Sequence, residues 1–141
     1  MSNFHDIEVD HDVTISGEIF DIVFRTRHAG GVQAITAVHD ASLPATIGGI
    51  RFVPKGTLEE VGHLARAMTP KNAAARLPAG GQKTIIICRG GISESFSERA
   101  DIVAEHAQKV VAHYEQSSVR TWVALRQFLT LFMSDPNSKG I

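Results

Sequence analysis

Residues 45–89, ATIGGIRFVPKGTLEEVGHLARAMTPKNAAARLPAGGQKTIIICR, limit the fold more than any other stretch. Residues 50–53 form a short β-prone run, stopped by Pro54-Lys55-Gly56. Thr57-x-x-Glu60 is a capping-box pattern that opens a helix. Leu58, Val61, Leu64, Ala65 and Met68 then fall on one helical face. Residues 77–81 read as a loop, and residues 84–88 as a near-continuous apolar strand covered on both faces. A helix between such strands calls for an α/β domain, a mixed sheet with helices packed on it.

The same stretch carries the candidate chemistry. Lys71 and Lys83 lie twelve positions apart. Lys71 follows Met68-Thr69-Pro70, and Lys83 follows Gly80-Gly81-Gln82. Gly48-Gly49 lies upstream. Two convergent cations beside small residues suit a small carboxylate-bearing molecule, because glycine lets a ligand approach backbone and the ammonium groups neutralise it. The ordinary alternative is two solvated charges, with Lys83 guarding a hydrophobic strand against aggregation. Two nearby ammonium groups also repel, so one of them should lose its proton more easily. Lys83, beside an apolar strand, is the better candidate for a neutral amine that attacks carbonyls, and Lys71 for the charged carboxylate holder.

Upstream, residues 2–12 are polar and acidic and are expected to fray, with a short strand only at residues 13–16. His5 and His11 interleave with aspartates, but their spacing matches no closed zinc pattern, so no metal site is expected. Residues 19–27 and 32–39 flank Ala29-Gly30-Gly31 and suggest an antiparallel hairpin. Residues 40–49 read as a loop through Pro44. His63 falls off the helical stripe and is expected in solvent. Pro70 either kinks the helix or starts a second one capped by Thr69. Downstream, Ser97 is the expected cap of a helix over residues 98–116, with Ile102, Val103, Ala107, Val110, Val111 and Tyr114 as its apolar side. A last helix over residues 119–133 carries Trp122, Leu125, Phe128, Leu129 and Phe132, a stripe that suits core or oligomer contacts.

The chain of 141 residues makes one domain, residues 1–141. A formal charge of -1 gives no drive towards nucleic acid or an anionic membrane. One cysteine, Cys88, excludes an internal disulfide and reads as a small core residue. No signal-peptide pattern or transmembrane-length apolar run is present, so a cytoplasmic protein is expected.

Three motifs in order carry a family resemblance: Gly48-Gly49-Ile50-Arg51, Met68-Thr69-Pro70-Lys71-Asn72-Ala73, and Gly80-Gly81-Gln82-Lys83-Thr84. With residues 32–39 leading into them, the stretch resembles the N-terminal substrate-binding and dimerisation domain of the glutamate/leucine/phenylalanine/valine dehydrogenases. It is most similar to the leucine/phenylalanine branch. The resemblance implies that Lys71 holds the substrate α-carboxylate and that Lys83 is catalytic. It also implies that Gly48, Gly49, Ile47 and Met68 line the substrate pocket. Glutamate-specific members carry a lysine where this chain has Ile47, so the resemblance implies an apolar substrate side chain.

The chain departs from the family pattern in three ways. Pro70 interrupts the lysine motif. The family's proton-shuttling aspartate has no counterpart, since residues 118–125 contain no Asp or Glu. No G-x-G-x-x-G turn is present, so no cofactor is expected on this chain alone, and NAD only where a separate Rossmann domain is supplied. The resemblance thus implies a part of an NAD-dependent apolar amino-acid dehydrogenase that binds a 2-oxo or 2-amino acid and assembles as a homodimer or larger. A stand-alone lysine-dependent enzyme acting on a keto-acid-like substrate by decarboxylation, condensation, cyclisation or aldol-type chemistry is the first alternative. A non-catalytic sensing or assembly module is the second. The starting Met1 and the polar Ser-Lys-Gly-Ile tail suit a self-contained protein.

Overall fold

A computed structural model of the chain describes residues 7–43, 45–88 and 96–117. Six strands form one mixed sheet: β1 (Ile7–Ile15), β2 (Glu18–Arg27), β3 (Gln33–Val38), β4 (Ala45–Ile47), β5 (Ile50–Val53) and β6 (Ala79–Ile87). Helix α1 (Leu58–Ala74) and helix α2 (Phe96–Ser117) pack on it. β1, β2, β3 and β6 run antiparallel in that spatial order. β4 and β5 lie parallel to β6 along its other edge. The hairpin expected around Ala29–Gly31 is β2–β3, with Gly30 and Gly31 both at positive φ (74° and 75°).

Alternation along β6 separates the two helices. Ile85 and Ile87 pack with Val61 and Ala65 of α1. Ile86 and Cys88 pack with Val103 of α2 on the opposite face. The sheet is thus covered on both sides, which explains why residues 84–88 are apolar without interruption. Cys88 is a buried core residue, and burial pushes its thiol pKa up.

The termini of the expected elements shift. Residues 7–12 are not frayed: β1 starts at Ile7 and pairs with β2 along its length. At Asp12 the backbone is left-handed (φ 53°), a conformation that aspartate tolerates better than most residues. Beyond it the strand changes its buried face. Ile7 and Val9 pack on the α2 side, Val13 and Ile15 on the α1 side. Residues 45–47 form a strand where a loop was expected, and β6 starts at Ala79, so Gly80 and Gly81 are strand residues instead of a turn.

Thr57 caps α1 by accepting the Glu60 N–H (3.2 Å). The helix then runs through Pro70 without a break. The proline deprives only the Arg66 carbonyl of its N–H partner, and both residues lie on the exposed side, where water can serve it. The two-helix alternative is therefore excluded. α2 already includes Phe96, so Ser97 sits inside its first turn instead of capping it. The last expected helix, residues 119–133, the aspartate-free residues 118–125 and His5 lie outside the described residues.

Candidate active site

The register of β6 explains how its edge opens. Ile47 of β4 pairs with Gly81, and Ile50 of β5 pairs with Thr84. Gly48 and Gly49 fall between them, opposite Gln82 and Lys83. There the strand pairing is interrupted, and the Thr84 N–H donates to the Gly49 carbonyl (3.0 Å). On the other side, Lys83 pairs with Ala37 of β3. Lys83 is flanked by residues with little or no side chain, and it shares the α1 face of β6 with Gly81 and Ile85.

Lys83 is half-buried, and its ammonium pKa is lowered from the usual 10.5. Burial is the main cause, followed by the charges of Arg51 and then Lys71. Lys71 stands in the last turn of α1, exposed. Leu64 and Met68 precede it at spacings that keep all three on one flank of the helix. Leu64 lines an open cleft of about 510 Å³ between α1 and β5 together with Arg51, Val53, Lys55, His63 and Ile85, whereas Lys71, Lys83, Met68, Ile47, Gly48 and Gly49 are not among its lining residues. Met68 and Ile47 are half-buried, and His63 is exposed as expected.

The glycines serve the protein more than a ligand. A Cβ on Gly48 would fall 1.5 Å from the Gln82 carbonyl oxygen, and one on Gly80 1.8 Å from that of Asp40. A Cβ on Gly81 would fall 2.3 Å from the Ala65 carbonyl oxygen and 2.6 Å from Thr69 Oγ1. Gly81 lets α1 sit directly on β6, and Gly80 admits the Asp40 backbone on the other side. Gly48, Gly80 and Gly81 are thus held to glycine by close backbone contacts within the protein.

Two residues of the lysine motif escaped the sequence reading. Asn72 is buried, and its Nδ2 donates to the Gly80 (2.9 Å) and Ile47 (3.1 Å) carbonyls. Thr69 Oγ1 accepts the Gly81 N–H (2.9 Å) and lies 2.7 Å from His39 Nδ1. His39 Nε2 lies 2.9 Å from Glu18 Oε1, and the hydrogen bond from His39 holds the Glu18 carboxyl below its usual pKa. The signal was helical spacing: positions 61, 65, 69 and 72 are the ridge of α1 that meets the sheet, so polar residues there needed partners.

On the far face, His106 of α2 is buried between two hydroxyls, with Nδ1 2.6 Å from Thr26 Oγ1 and Nε2 2.7 Å from Thr36 Oγ1. Thr36 Oγ1 lies 2.6 Å from Thr84 Oγ1, beside Lys83 in sequence but on the opposite side of the strand. Burial, then the charges of His28 and Lys109, push the His106 pKa down to about 3. Among the described residues no His, Cys, Asp and Glu side chains cluster as metal ligands. None of the described helices is long and apolar enough to cross a membrane.

β5–α1–β6 is a strand–helix–strand unit, but its turn, Pro54-Lys55-Gly56-Thr57, has one glycine. A Cβ on Gly56 would meet the Ile85 side chain at 2.6 Å. That glycine serves packing, and the turn does not fit a dinucleotide pyrophosphate.

A helix on each face of a mixed sheet, with a two-glycine interruption between β4 and β5, defines the α/β domain. Residues 18–118 match the family model described as Glu/Leu/Phe/Val dehydrogenase, dimerisation domain, and the chain belongs to that family. It is 43% identical over 70 residues to leucine dehydrogenase of Bacillus subtilis (strain 168), covering 47% of this chain and 19% of the relative. Phenylalanine dehydrogenase of Lysinibacillus sphaericus is also 43% identical over 70 residues, covering 47% and 18%. The chain therefore spans about a fifth of these relatives' length. Among solved structures, L-tryptophan dehydrogenase from Nostoc punctiforme aligns with a TM-score of 0.49 and 28% identity, over 62% of this chain and 26% of that one.

Proposed function

We propose that this domain binds a small 2-oxo or 2-amino acid with an apolar side chain and serves as the substrate-binding and oligomerisation part of an amino-acid dehydrogenase. The observation that carries this reading is the half-buried Lys83, opposite the Gly48-Gly49 break and within the field of Lys71. Lys71, on the exposed end of α1, holds the ligand carboxylate by a charge-assisted hydrogen bond. Lys83 sits where the α-carbon carbonyl or amine would lie and stabilises charge that develops there. Gly48, Gly49, Ile47 and Met68 bound the apolar part of the ligand. A nicotinamide would supply hydride transfer only from a domain outside this one, in keeping with the single glycine in the turn before α1. Assembly as a homodimer or larger, and a cytoplasmic site of action, belong to the same reading.

Calorimetric titration with 2-oxo acids tests it. The expected result is that 4-methyl-2-oxopentanoate binds more tightly than 2-oxoglutarate, and that Lys71→Met removes binding of both. Equal affinity of Lys71→Met and the unaltered protein would contradict the carboxylate role.

The lowered pKa of Lys83 favours a second reading, stand-alone amine chemistry. The neutral amine would add to the ligand C2 carbonyl, expel water and leave a C=N bond. Borohydride would then reduce that bond to a stable secondary amine. A mass adduct on Lys83 after incubation with a 2-oxo acid and borohydride supports this chemistry. Its absence, with binding intact, leaves Lys83 as a charged stabiliser.

A further inference from the structure

Lys71 and Lys83 carry like charge, so their repulsion pushes α1 away from β6 whenever no anion lies between them. The two lysines do not oppose this push themselves. On either side of Lys71, Thr69 and Asn72 reach across to β6. The Thr69 side is the more elaborate. Gly81 donates its N–H to Thr69 Oγ1 (2.9 Å). Thr69 Oγ1 lies 2.7 Å from His39 Nδ1. His39 in turn donates its backbone N–H to the Gly81 carbonyl (2.9 Å). Gly81, Thr69 and His39 therefore close a ring of three hydrogen bonds that ties β6, α1 and the residue following β3.

Glu18 on β2 fixes the proton order of this ring. A carboxylate only accepts, so His39 Nε2 carries the proton shared with Glu18 Oε1. With the proton on Nε2, Nδ1 can serve as the acceptor. The Thr69 hydroxyl, which accepts from Gly81, donates its own proton to Nδ1. Each group has one role, and sliding α1 along β6 would break at least one of these bonds. Steric contact alone would not stop that sliding, because it limits approach and not register.

We propose that Thr69 and His39 are positioning residues for the two-cation site, setting the spacing of Lys71 and Lys83 so that one carboxylate-bearing 2-oxo or 2-amino acid can engage both. The ligand in this statement rests on the function proposed above; the ring and the spacing it sets do not. The ring acts through the backbone on which the lysines stand. Lys71 is two residues beyond Thr69 on the helix, and Lys83 is two residues beyond Gly81 on the strand.

The test compares Thr69→Val, which keeps the shape and removes the hydroxyl, with Thr69→Ser, which keeps the hydroxyl. Two quantities are read: the titration of Lys83 Nζ by NMR, and the affinity for 4-methyl-2-oxopentanoate. In folded Thr69→Val, α1 is freed to move off β6, Lys83 is wetter and Lys71 is farther away. Its pKa therefore rises towards 10.5, and affinity falls roughly tenfold, the scale of one lost hydrogen bond. Thr69→Ser keeps both values near those of the unaltered protein. His39→Gln shifts both in the same direction as Thr69→Val and decides the matter should Thr69→Val not fold. A folded Thr69→Val with unchanged Lys83 titration and affinity would overturn the proposal. If the unaltered protein binds no 2-oxo acid, the proposed function fails, and the Lys83 titration alone still decides the role of the ring.

Discussion

His106 shows how one residue can tie stability to pH. A neutral imidazole donates from one ring nitrogen and accepts at the other, which suits the hydroxyls of Thr26 and Thr36 on its two sides. Its folded pKa of about 3 lies below the usual 6.5, so between those values the unfolded chain takes up a proton that the folded one refuses. The stability that His106 contributes is complete above pH 6.5 and is lost as pH falls towards 3, with a slope of at most about 1.4 kcal/mol per pH unit. His106→Gln can donate and accept but does not titrate. Urea unfolding at pH 7 and pH 4.5 should show a smaller acid loss in His106→Gln than in the unaltered protein. Equal losses would move the acid sensitivity to other groups.

Helix α1 and strand β6 are the elements that the site depends on, and the backbone packed around β6 leaves little room. A Cβ on Gly48 or Gly80 would meet backbone oxygen at 1.5 or 1.8 Å, and backbone cannot turn aside as a side chain can. Gly48→Ala and Gly80→Ala should each cost at least about 3 kcal/mol in chemical denaturation, at or beyond the upper end of ordinary overpacking. Gly17→Asn should cost far less, since open space surrounds Gly17 and asparagine tolerates its positive φ of 81°. The order of these elements was legible in the chain. Thr57 and Glu60 marked the start of α1, and the apolar run at residues 84–88 marked a doubly covered strand. β1 was harder to read. Ile7, Val9, Val13 and Ile15 do alternate, but acidic residues fill the outward positions, as edge strands often require, and their charge suggested fraying instead. β4 has three residues and is held by register with Ala79–Gly81 of β6, a partner more than thirty positions away that no local pattern reveals. Pro70 had two local readings, and tertiary packing of the ridge through Thr69 and Asn72 decided for the continuous helix.

At the scale of the molecule, the sheet is a partition. α2 and the His106 network lie on one side, α1 and the lysines on the other, and a cleft opens between α1 and β5. The lysines themselves were legible as residues. The way α1 is seated on β6 was not, because it rests on Gly81, which read as part of a turn, on Thr69, which read as a possible cap, and on Asn72, whose partners Ile47 and Gly80 lie outside the helix. Whether Lys71 and Lys83 form one anion site is decided by NMR titration of Lys83 Nζ with and without 4-methyl-2-oxopentanoate. Lys83 should titrate below 10.5 in the free protein, and a bound carboxylate, by offsetting Lys71 and Arg51, should move its pKa upward. A Lys83 that titrates at 10.5 and ignores the ligand would contradict the shared site.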